Sequence, residues 1–320
     1  MTRAMDARLI YNPTAGPRDV RADLKRLCSF FENRGWSVLL HLTEQPGDAF
    51  RMARQAARDR LDAVIVAGGD GTVNEVVNGL VGSDTALGVL PVGTGNLWAK
   101  QLRVPTYTLA NPLRLREAAR GLIEGEERAI DVGRVNGHAF ICWASAGLDA
   151  QVTTEMEPRD RITKRLGALP YLIAAVLVAQ DFKGVQTTVT LDGDVVRGRA
   201  LLVMANNIRQ YGGLVEVAPS AKLDDGLLDV FVFEGLGFGY VVRHLVKVLS
   251  QRYLEDPRIV HRQARRISVE AEESLPIQVD GDPMGMTPAY IEVVPRSLHI
   301  VAPPTMPSDL LVEATEGESS

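Results

Sequence analysis

The sequence predicts an α/β domain with a parallel sheet flanked by helices, followed by an antiparallel β-sandwich domain. In residues 1–127, short continuous apolar runs alternate with segments that repeat apolar residues at helical spacing. Strands that are apolar on both faces are typical of parallel sheets covered by helices. From residue 128 onward, β-type runs separated by turn signals such as Asn136-Gly137 dominate, which is typical of hairpins. A length of 320 residues suits two such domains.

The first domain, 1–127, is predicted to contain four strands with helices between them. The strands are expected at 8–11, 36–42, 61–67 and 86–90. Helices are expected at 20–31, where apolar residues recur every three or four positions, and at the alanine-rich segment 49–58.

The second domain, 128–295, is predicted to be rich in strands. They are expected at 129–135, 138–144, 185–191, 195–205, 228–233, 266–271, 277–279 and 290–294, with helical segments at 160–180 and 238–253. A last strand at 297–301 is expected to return to the first domain, so that 296–305 completes it. The tail, 306–320, is expected to be disordered because its last residues are charged or small.

Composition narrows the classes of function. With 35 basic and 40 acidic residues the net charge is −5, so no basic excess exists for binding a phosphate backbone, and a nucleic-acid partner is not expected. Two cysteines cannot form a disulfide framework. The start of the chain has no signal-peptide pattern, and no uncharged apolar run reaches the ~20 residues that cross a bilayer. We therefore expect a cytoplasmic location.

Three glycine-rich turns each follow a predicted strand of the first domain. They are the segments NPTAG at 12–16, GGDGT at 68–72 and PVGTGN at 91–96. Turns that leave parallel strands in the same sense lie along one edge of the sheet, where ligands bind. Glycines there allow a phosphate group to approach the backbone amides closely. The three turns together predict an anion-binding edge rather than three unrelated tight turns.

The middle turn is predicted to open a helix. Thr72 and Glu75 have the spacing of a capping box, which would direct the unpaired amides of the first helical turn at an anion. The sequence contains neither a P-loop signature nor a dinucleotide-binding glycine motif with its distant acidic residue, so neither of those classes of site is indicated.

In this order along the chain, the glycine turns and later segments resemble the catalytic domain of the diacylglycerol kinase family, which includes bacterial lipid kinases and the sphingosine and ceramide kinases. The matching segments are NPTAG at 12–16, GGDGTVNEVVNGL at 68–80, LGVLPVGTGNLWAKQL at 87–102, IDVGRVNG at 130–137, AKLDDGLLDV at 221–230 and VDGDP at 279–283. The middle motif alone also occurs in NAD kinases and phosphofructokinase-like proteins. The ordered set, from about residue 8 to 300, carries the resemblance.

The resemblance implies a two-domain lipid kinase with ATP in the cleft between the domains and a lipid hydroxyl group as acceptor. Residues matching the family's nucleotide contacts are Asn12, Pro13, Thr14, Ala15, Gly16, Thr43, Gly68, Gly69, Asp70, Gly71, Thr72, Val73, Asn74, Glu75, Gly93, Thr94, Gly95 and Asn96. Thr43 follows the second predicted strand, so chain order places it at the same edge.

Two carboxylates are candidates for catalysis. In the family a glutamate in the turn after VDG is the base that activates the acceptor, and Asp282 occupies that position. Alternation along a strand would place Asp280 on the same side as Asp282, where one charge could raise the pKa of the other. Asp70 is expected to organise metal and phosphates. The alternatives are a solvated hairpin for Asp282 and a turn-stabilising side chain for Asp70.

One further position departs from the family's pattern. Leu97 stands where many bacterial members carry an aspartate, although sphingosine-type members have an apolar residue there. This weakens the support for the two carboxylates and motivates a rival hypothesis, a nucleotide-binding regulatory protein with weakened catalysis. A second rival is an NAD-kinase-like enzyme with a soluble acceptor.

The resemblance also implies a magnesium site. In bacterial members an ordered magnesium ion lies in the loop matching 222–227, where Asp225 would supply a carboxylate and Lys222 and Leu227 backbone oxygens. Magnesium prefers oxygen ligands and retains waters. A turn with solvated carboxylates is the alternative.

The segment 167–180 is an apolar stretch preceded by several basic residues, and it has two equally supported interpretations. Such a segment suits an anionic membrane surface, and equally a buried helix between domains. We expect a cytoplasmic protein that acts on a lipid at the membrane surface, with a homodimer left open.

Overall fold

The computed structural model describes residues 5–156, 177–212 and 215–312. The first half contains β1 (Met5–Tyr11), α1 (Arg21–Glu32), β2 (Trp36–Leu42), α2 (Asp48–Arg58), β3 (Ala63–Gly68), α3 (Asp70–Leu80), β4 (Ala86–Pro91), α4 (Leu97–Gln101) and α5 (Arg114–Ile123).

The second half is mostly strands. It contains β5 (Glu126–Val135), β6 (His138–Phe140), β7 (Trp143–Gly147), α6 (Leu148–Met156), β8 (Val185–Leu191), β9 (Asp194–Asn206), β10 (Gln210–Tyr211), β11 (Val215–Glu216), β12 (Leu228–Glu234), α7 (Phe238–Leu249), β13 (Ile259–Ala264), β14 (Arg266–Ala271), β15 (Pro276–Val279), β16 (Asp282–Met286) and β17 (Ala289–Ala302). Short 3-10 turns lie at Tyr253–Glu255 and Ser308–Leu310.

The first half forms a parallel sheet in the order β2-β1-β3-β4. Every residue of β3 and β4 is buried, because helices cover both faces of the sheet. In the second half the strands pair antiparallel, in the order β16-β15-β7-β9-β8-β14. The predicted fold class, a parallel α/β sheet followed by antiparallel strands, is confirmed.

Strand β17 connects the two halves. Its N-terminal part pairs antiparallel with β14, and its C-terminal part lies parallel to β4, where Ile300 faces Leu87. The strands predicted separately at 290–294 and 297–301 are therefore one strand, with a register shift between Val294 and Leu298. A positive φ of 46° at Arg296 accompanies that irregularity.

One predicted strand, 138–144, is divided in two. The chain bends at Ile141 and Cys142, between β6 and β7. At this bend the amides turn away from a neighbouring strand and toward a buried carboxylate, described below. Apolar composition alone did not indicate that interruption.

The end of the chain also differs from prediction. Residues 306–312, expected to be disordered, pack against the second half: Leu310 is 1% exposed, and its carbonyl accepts a hydrogen bond from the Leu223 amide at 2.8 Å. Arg209 binds the Asp309 carboxylate at 2.6 Å. The predicted helix at 160–180 and the apolar segment 167–180 within it lie mostly outside the described residues. No helix among the residues that the structure describes is long and apolar enough to cross a membrane.

Candidate active site

The C-terminal ends of β1, β2 and β3 lie at the same edge of the parallel sheet. The Asn12 amide donates to the Ala67 carbonyl at 3.1 Å, and the Thr43 amide donates to the Tyr11 carbonyl at 2.9 Å. The predicted placement of Thr43 beside the first glycine turn therefore agrees with the structure.

The three glycine turns pack directly on one another. A Cβ atom at Gly16, whose φ is +78°, would overlap the carbonyl oxygen of Val92 in the third turn. A Cβ at Gly93 would likewise overlap the backbone of Gly69 in the second turn. Glycine is required at these positions because the three backbones approach too closely for any side chain. The three turns therefore form one continuous surface, which we call the glycine surface.

Side chains tie the first turn to the second. Asn12 Nδ2 donates to Thr72 Oγ1 at 3.0 Å, and Asn12 Oδ1 accepts from the Thr14 amide and hydroxyl at 2.9 and 2.8 Å. Thr72 is thus buried as a link between turns. Thr14 and Thr94 are exposed on this surface.

The capping box predicted for Thr72 and Glu75 is wrong. Helix α3 begins at Asp70, two residues earlier, with Gly69 as its N-cap and no side-chain cap. Glu75 instead accepts hydrogen bonds from the amides of Ala49 and Phe50, at 3.1 and 3.4 Å, at the start of α2. The early start nevertheless leaves first-turn amides of α3 at the glycine surface.

Asp70 joins the second and third turns. Its Oδ1 accepts the Leu97 amide at 2.6 Å, and its other carboxylate oxygen occupies the space that a Cβ at Gly95 would need. Burial raises the pKa of Asp70, while the Leu97 and Asn96 amides and the charge of Lys100 act in the opposite direction. The contacts of Asp70 therefore agree with the alternative interpretation, in which its side chain stabilises the turns. Its action on metal and phosphates stays a prediction.

Four residues predicted to contact nucleotide have other surroundings. Val73 and Asn74 are buried, and Asn74 Nδ2 donates to Asp280 Oδ2 at 2.9 Å, toward the second half. Asn96 is buried and donates to the Gly93 carbonyl at 2.7 Å, which closes the third turn. The side chains of Asn74, Glu75 and Asn96 thus bind groups of the protein itself, and contacts of these residues with a nucleotide stay a prediction.

Asp280 is the buried anchor of the hairpin between β15 and β16. Besides Asn74, its carboxylate accepts the amides of Ile141, Cys142 and Trp143 at 3.0, 2.9 and 3.0 Å, which explains the bend between β6 and β7. Burial raises the pKa of Asp280 to about 6, against the effect of these hydrogen bonds.

The predicted placement of Asp280 and Asp282 on one side is wrong. Residues 280 and 281 form a two-residue turn with φ values of +50° and +92°, so the strand does not continue through them. Asp280 points inward, whereas Asp282 is exposed at the start of β16. A Cβ at Gly71 would lie 3.7 Å from Asp282 Oδ2, so this carboxylate faces the first turn of α3.

Gln278 was not predicted and supports that hairpin. Its Oε1 accepts the Gly281 amide at 2.8 Å, while its Nε2 donates to Asp149 Oδ2 and to Ser145 Oγ, both at 2.8 Å. The signal in the sequence is a glutamine inside the apolar run from Pro276 to Val279, since a polar side chain in a fully buried strand needs partners.

A depression of about 530 Å³ lies beside α4, the short helix that follows the third turn. Its lining includes Lys100, Arg103 and Arg114 from the first half and Gln210 from the second. These three cationic side chains outnumber the carboxylate in the same lining, Glu117, so the depression favours anionic ligands.

The loop predicted to hold magnesium has a high density of carboxylates. Asp225 Oδ1 accepts the Leu227 amide at 3.0 Å, and Lys222 Nζ donates to the Asp309 carbonyl at 2.6 Å. Burial, and then the charges of Asp131, Asp229 and Asp224, raise the pKa of Asp225 to about 6. Within the described ranges no three His, Cys, Asp or Glu side chains are grouped to hold a metal ion. The magnesium site at Lys222, Asp225 and Leu227 stays a prediction.

Two family models match this chain. Residues 6–135 match the diacylglycerol kinase catalytic domain, and residues 142–302 match the YegS C-terminal NAD kinase beta sandwich-like domain. Together these matches cover the glycine turns and the hairpin that carries Asp282.

Curated relatives and solved structures agree with those models. A diacylglycerol kinase of Bacillus subtilis is 32% identical over 299 residues, which are 93% of this chain and 96% of that protein. One of Staphylococcus aureus is 30% identical over 96% of this chain and 95% of its own. The crystal structure of a diacylglycerol kinase from Bacillus anthracis has a TM-score of 0.77 at 28% identity, covering 95% of this chain and 99% of that one. From its sequence, its fold and this site, the chain belongs to the diacylglycerol kinase family.

Proposed function

We propose that this protein transfers the γ-phosphate of ATP to the hydroxyl group of a diacylglycerol-like lipid. The observation that carries the proposal is the position of Asp282, whose carboxylate comes from the second half and faces Gly71 at the start of α3. An acceptor hydroxyl group beside Asp282 would have a base on one side and the phosphate-binding surface of the glycine turns on the other. The names of the curated relatives support the choice of acceptor.

The glycine surface is suited to the triphosphate of ATP. The close packing of Gly16, Gly69 and Gly93 leaves backbone without side chains on the exposed side, where phosphate oxygens can approach the amides. The N-terminal end of α3 adds a positive partial charge. Lys100, whose charge acts on Asp70 between the second and third turns, adds a full positive charge. The substrate is ATP with its magnesium ion, and the ion adds positive charge at the phosphates.

Asp282 would act as the base. As the lipid hydroxyl oxygen attacks the γ-phosphorus, its proton passes to the Asp282 carboxylate, and the bond between phosphorus and the bridging β,γ-oxygen breaks to release ADP. The turn at 280–281 presents Asp282 outward, and Asp280 and Gln278 hold that turn from inside. We expect these contacts to fix the position of Asp282, which is one methylene shorter than the family's glutamate.

A phosphate-transfer assay tests the proposal. Purified protein with γ-labelled ATP and vesicles containing diacylglycerol should give label that extracts into organic solvent. The same reaction with NAD in place of lipid should leave none on the acceptor. Label on NAD alone would support the soluble-acceptor enzyme, an alternative suggested by the NAD kinase-like second domain. Tight ATP binding without transfer to any acceptor would support the regulatory alternative.

A further inference from the structure

Helix α3 carries two asparagines on one face, Asn74 and Asn78, which connect the helix to the second half of the molecule. Because they are four positions apart, their side chains are neighbours on the helix surface. This face packs against β6, where Ala139 is buried. Asn78 is half-buried and lies about 12 Å along the helix axis from Asp70, the first residue of α3. Its side chain is therefore about two helical turns away from the glycine surface.

Asn78 takes the place of a neighbouring strand at one edge of β6. Its Oδ1 accepts the Ala139 amide and its Nδ2 donates to the Ala139 carbonyl, both at 2.9 Å. Strand β6 pairs with β5 on its other edge, where Ala139 is opposite Arg134. A carboxamide suits this contact because it offers an acceptor and a donor together. An alanine at position 78 would leave the Ala139 amide without this acceptor.

Asn74 continues the contact from Asn78 to the hairpin that carries the proposed base. Its Oδ1 accepts from Asn78 Nδ2 at 3.1 Å, and His138 Nε2 lies 3.0 Å from the same oxygen. Its Nδ2 donates to Asp280 Oδ2 at 2.9 Å. The two ends of the Asn74 amide thus have different partners, and the contact with Asn78 keeps the donor end directed at the carboxylate.

The hydrogen bond between Asn74 and Asp280 lies close to the two groups that must meet in the reaction. Asp280 is two residues before Asp282 and holds the same hairpin from inside. Asn74 is three residues after Gly71, which is in the first turn of α3 and whose Cβ position lies 3.7 Å from Asp282 Oδ2. A change in this hydrogen bond would therefore move the base relative to the start of α3.

We propose that Asn78 is a positioning residue for phosphate transfer. Acting through Asn74 and Asp280, it keeps the hairpin against the start of α3, so that the base stays beside the glycine surface. The inference rests on the proposed function for the role of Asp282, but the placement of the hairpin can be measured without turnover. Because Asn78 is remote from the glycine surface, its loss should change the position of the base and not the binding of ATP.

Steady-state kinetics with vesicles containing diacylglycerol test the inference. Asn78→Ala should lower kcat by about tenfold or more, because a small misplacement of a reacting group is costly, while the dissociation constant of ATP stays that of wild type. The matched control is Thr85→Ala, which removes a buried hydrogen bond to the Leu61 carbonyl at the other end of β4 from the third turn. It should lower stability and keep the wild-type kcat. An unchanged kcat in Asn78→Ala would overturn the inference.

Asn78→Asp separates positioning from a loss of packing, because the two side chains have nearly the same shape. An ionised aspartate has acceptors only, whereas the protonated form again offers a donor and an acceptor. Its kcat relative to wild type should therefore be low at about pH 8 and recover toward about pH 5. His138 and Asp280, the titratable groups that face the two asparagines, are present in both proteins, so the ratio at each pH removes their contribution. A lowered ratio that stays constant with pH would indicate lost packing and overturn the inference.

A cross-linking measurement detects the position of the hairpin without turnover. The double variant Gly71→Cys/Asp282→Cys should form a disulfide with an added oxidant, since Asp282 Oδ2 lies 3.7 Å from the Cβ position at Gly71. Adding Asn78→Ala should slow this reaction by about tenfold or more, because disulfide geometry is specific, and adding Thr85→Ala should not. Peptide mapping distinguishes this bond from bonds of the two native cysteines. Equal rates with and without Asn78→Ala, or no disulfide in either protein, would overturn the inference.

Kinetics and cross-linking together separate this inference from the proposed function. If wild type phosphorylates no diacylglycerol, the proposed function fails, and the cross-linking rates still decide whether Asn78 positions the hairpin. If wild type is active and Asn78→Ala changes neither kcat nor the cross-linking rate, the inference fails and the proposed function stands.

Discussion

Gly16 lies where the first and third turns touch, with φ at +78° and the Val92 carbonyl in the space of an absent side chain. Gly16→Ala should therefore lower ATP affinity about tenfold or more, because moving the Val92 carbonyl by even a few tenths of an ångström distorts the phosphate surface and such overpacking costs about 1–3 kcal/mol. Calorimetric titration with ATP measures the change.

Gly82 is a matched control for that substitution. Its φ is +81°, but no atom lies within 4 Å of a Cβ built there. Gly82→Ala should introduce only backbone strain, which lowers the unfolding free energy by about 1–2 kcal/mol. Its affinity for ATP should stay that of wild type. Equal ATP affinities for the two alanine variants would show that the contact between the turns does not shape the nucleotide site.

Asp282 is the residue on which the chemistry depends. Asp282→Asn should lower kcat by about 10²–10⁴-fold, because the amide cannot take the acceptor proton, and should leave the ATP dissociation constant nearly unchanged. Asp282→Glu, the residue typical of the family, should retain transfer. Unchanged turnover in Asp282→Asn would remove this carboxylate from the mechanism. A large gain in Asp282→Glu would favour a natural protein with weakened catalysis.

Residue types at the site were predictable to different degrees. Chain order predicted that the glycine turns share one edge, because it specifies which strand ends meet. Asp282 was predicted from the family resemblance, and its catalytic role stays a prediction. The inward positions of Asn74, Asn96 and Glu75 were not found, because a polar side chain next to a ligand motif looks the same in sequence whether it faces the ligand or supports the turn. Only the hydrogen bonds to Asp280, to Gly93 and to the amides of α2 distinguish these cases.

At the scale of elements, helix α3 stabilises its neighbour α2 through Glu75. Glu75→Ala removes the acceptor for the Ala49 and Phe50 amides and should lower the unfolding free energy by about 1 kcal/mol, as loss of a helix cap does. The KM for ATP should stay the same. Chemical denaturation and steady-state kinetics together measure both effects.

Glu32→Ala provides the comparison for that helix prediction. Glu32 is exposed in the last turn of α1, so its removal should change stability by only a few tenths of a kcal/mol. If Glu75→Ala instead raised the KM for ATP without loss of stability, Glu75 would return to the nucleotide contacts that the family resemblance implied.

Element boundaries were predicted well where one apolar pattern ran without interruption. Helices expected at 20–31 and 49–58 match α1 and α2 within one residue at each end. The prediction failed at the bend of Ile141 and Cys142 and at the register shift within β17. At both places backbone amides bind a carboxylate that is distant in sequence. The amides at the bend bind Asp280, nearly 140 positions away in sequence.

At the scale of the whole molecule, one sheet runs through both halves by way of β17. Sequence patterns predicted the two kinds of pairing, and the return of the last strand toward the first domain. They did not predict that residues 306–312 pack onto the second half, since two side chains there, Leu310 and Asp309, make contacts that short-range composition does not reveal.

We expect Asp225 to contribute to a dependence of the chain's stability on pH, as should the buried Asp280. The pKa of Asp225 rises from 3.8 to about 6 on folding, so the folded state binds the proton more tightly than the unfolded state. The stabilisation from this group is complete below pH 3.8 and is lost as pH increases through 6. In EDTA, Asp225→Asn should therefore melt at a higher temperature than wild type at pH 8, and the difference should shrink toward pH 4.

Magnesium offers a control for that prediction. If the loop binds the ion through Asp225, added Mg²⁺ should raise the melting temperature of wild type at pH 8 and not that of Asp225→Asn. A lower melting temperature for Asp225→Asn at pH 8 in EDTA would contradict the sign assigned to this carboxylate.

Mass spectrometry of a total lipid extract, incubated with the purified enzyme and ATP, would identify the acceptor of the phosphate. We expect a new phosphate on a glycerolipid hydroxyl with wild type, and none with Asp282→Asn. Phosphate that enters only water-soluble molecules, or a lipid product that forms equally with both proteins, would contradict this expectation.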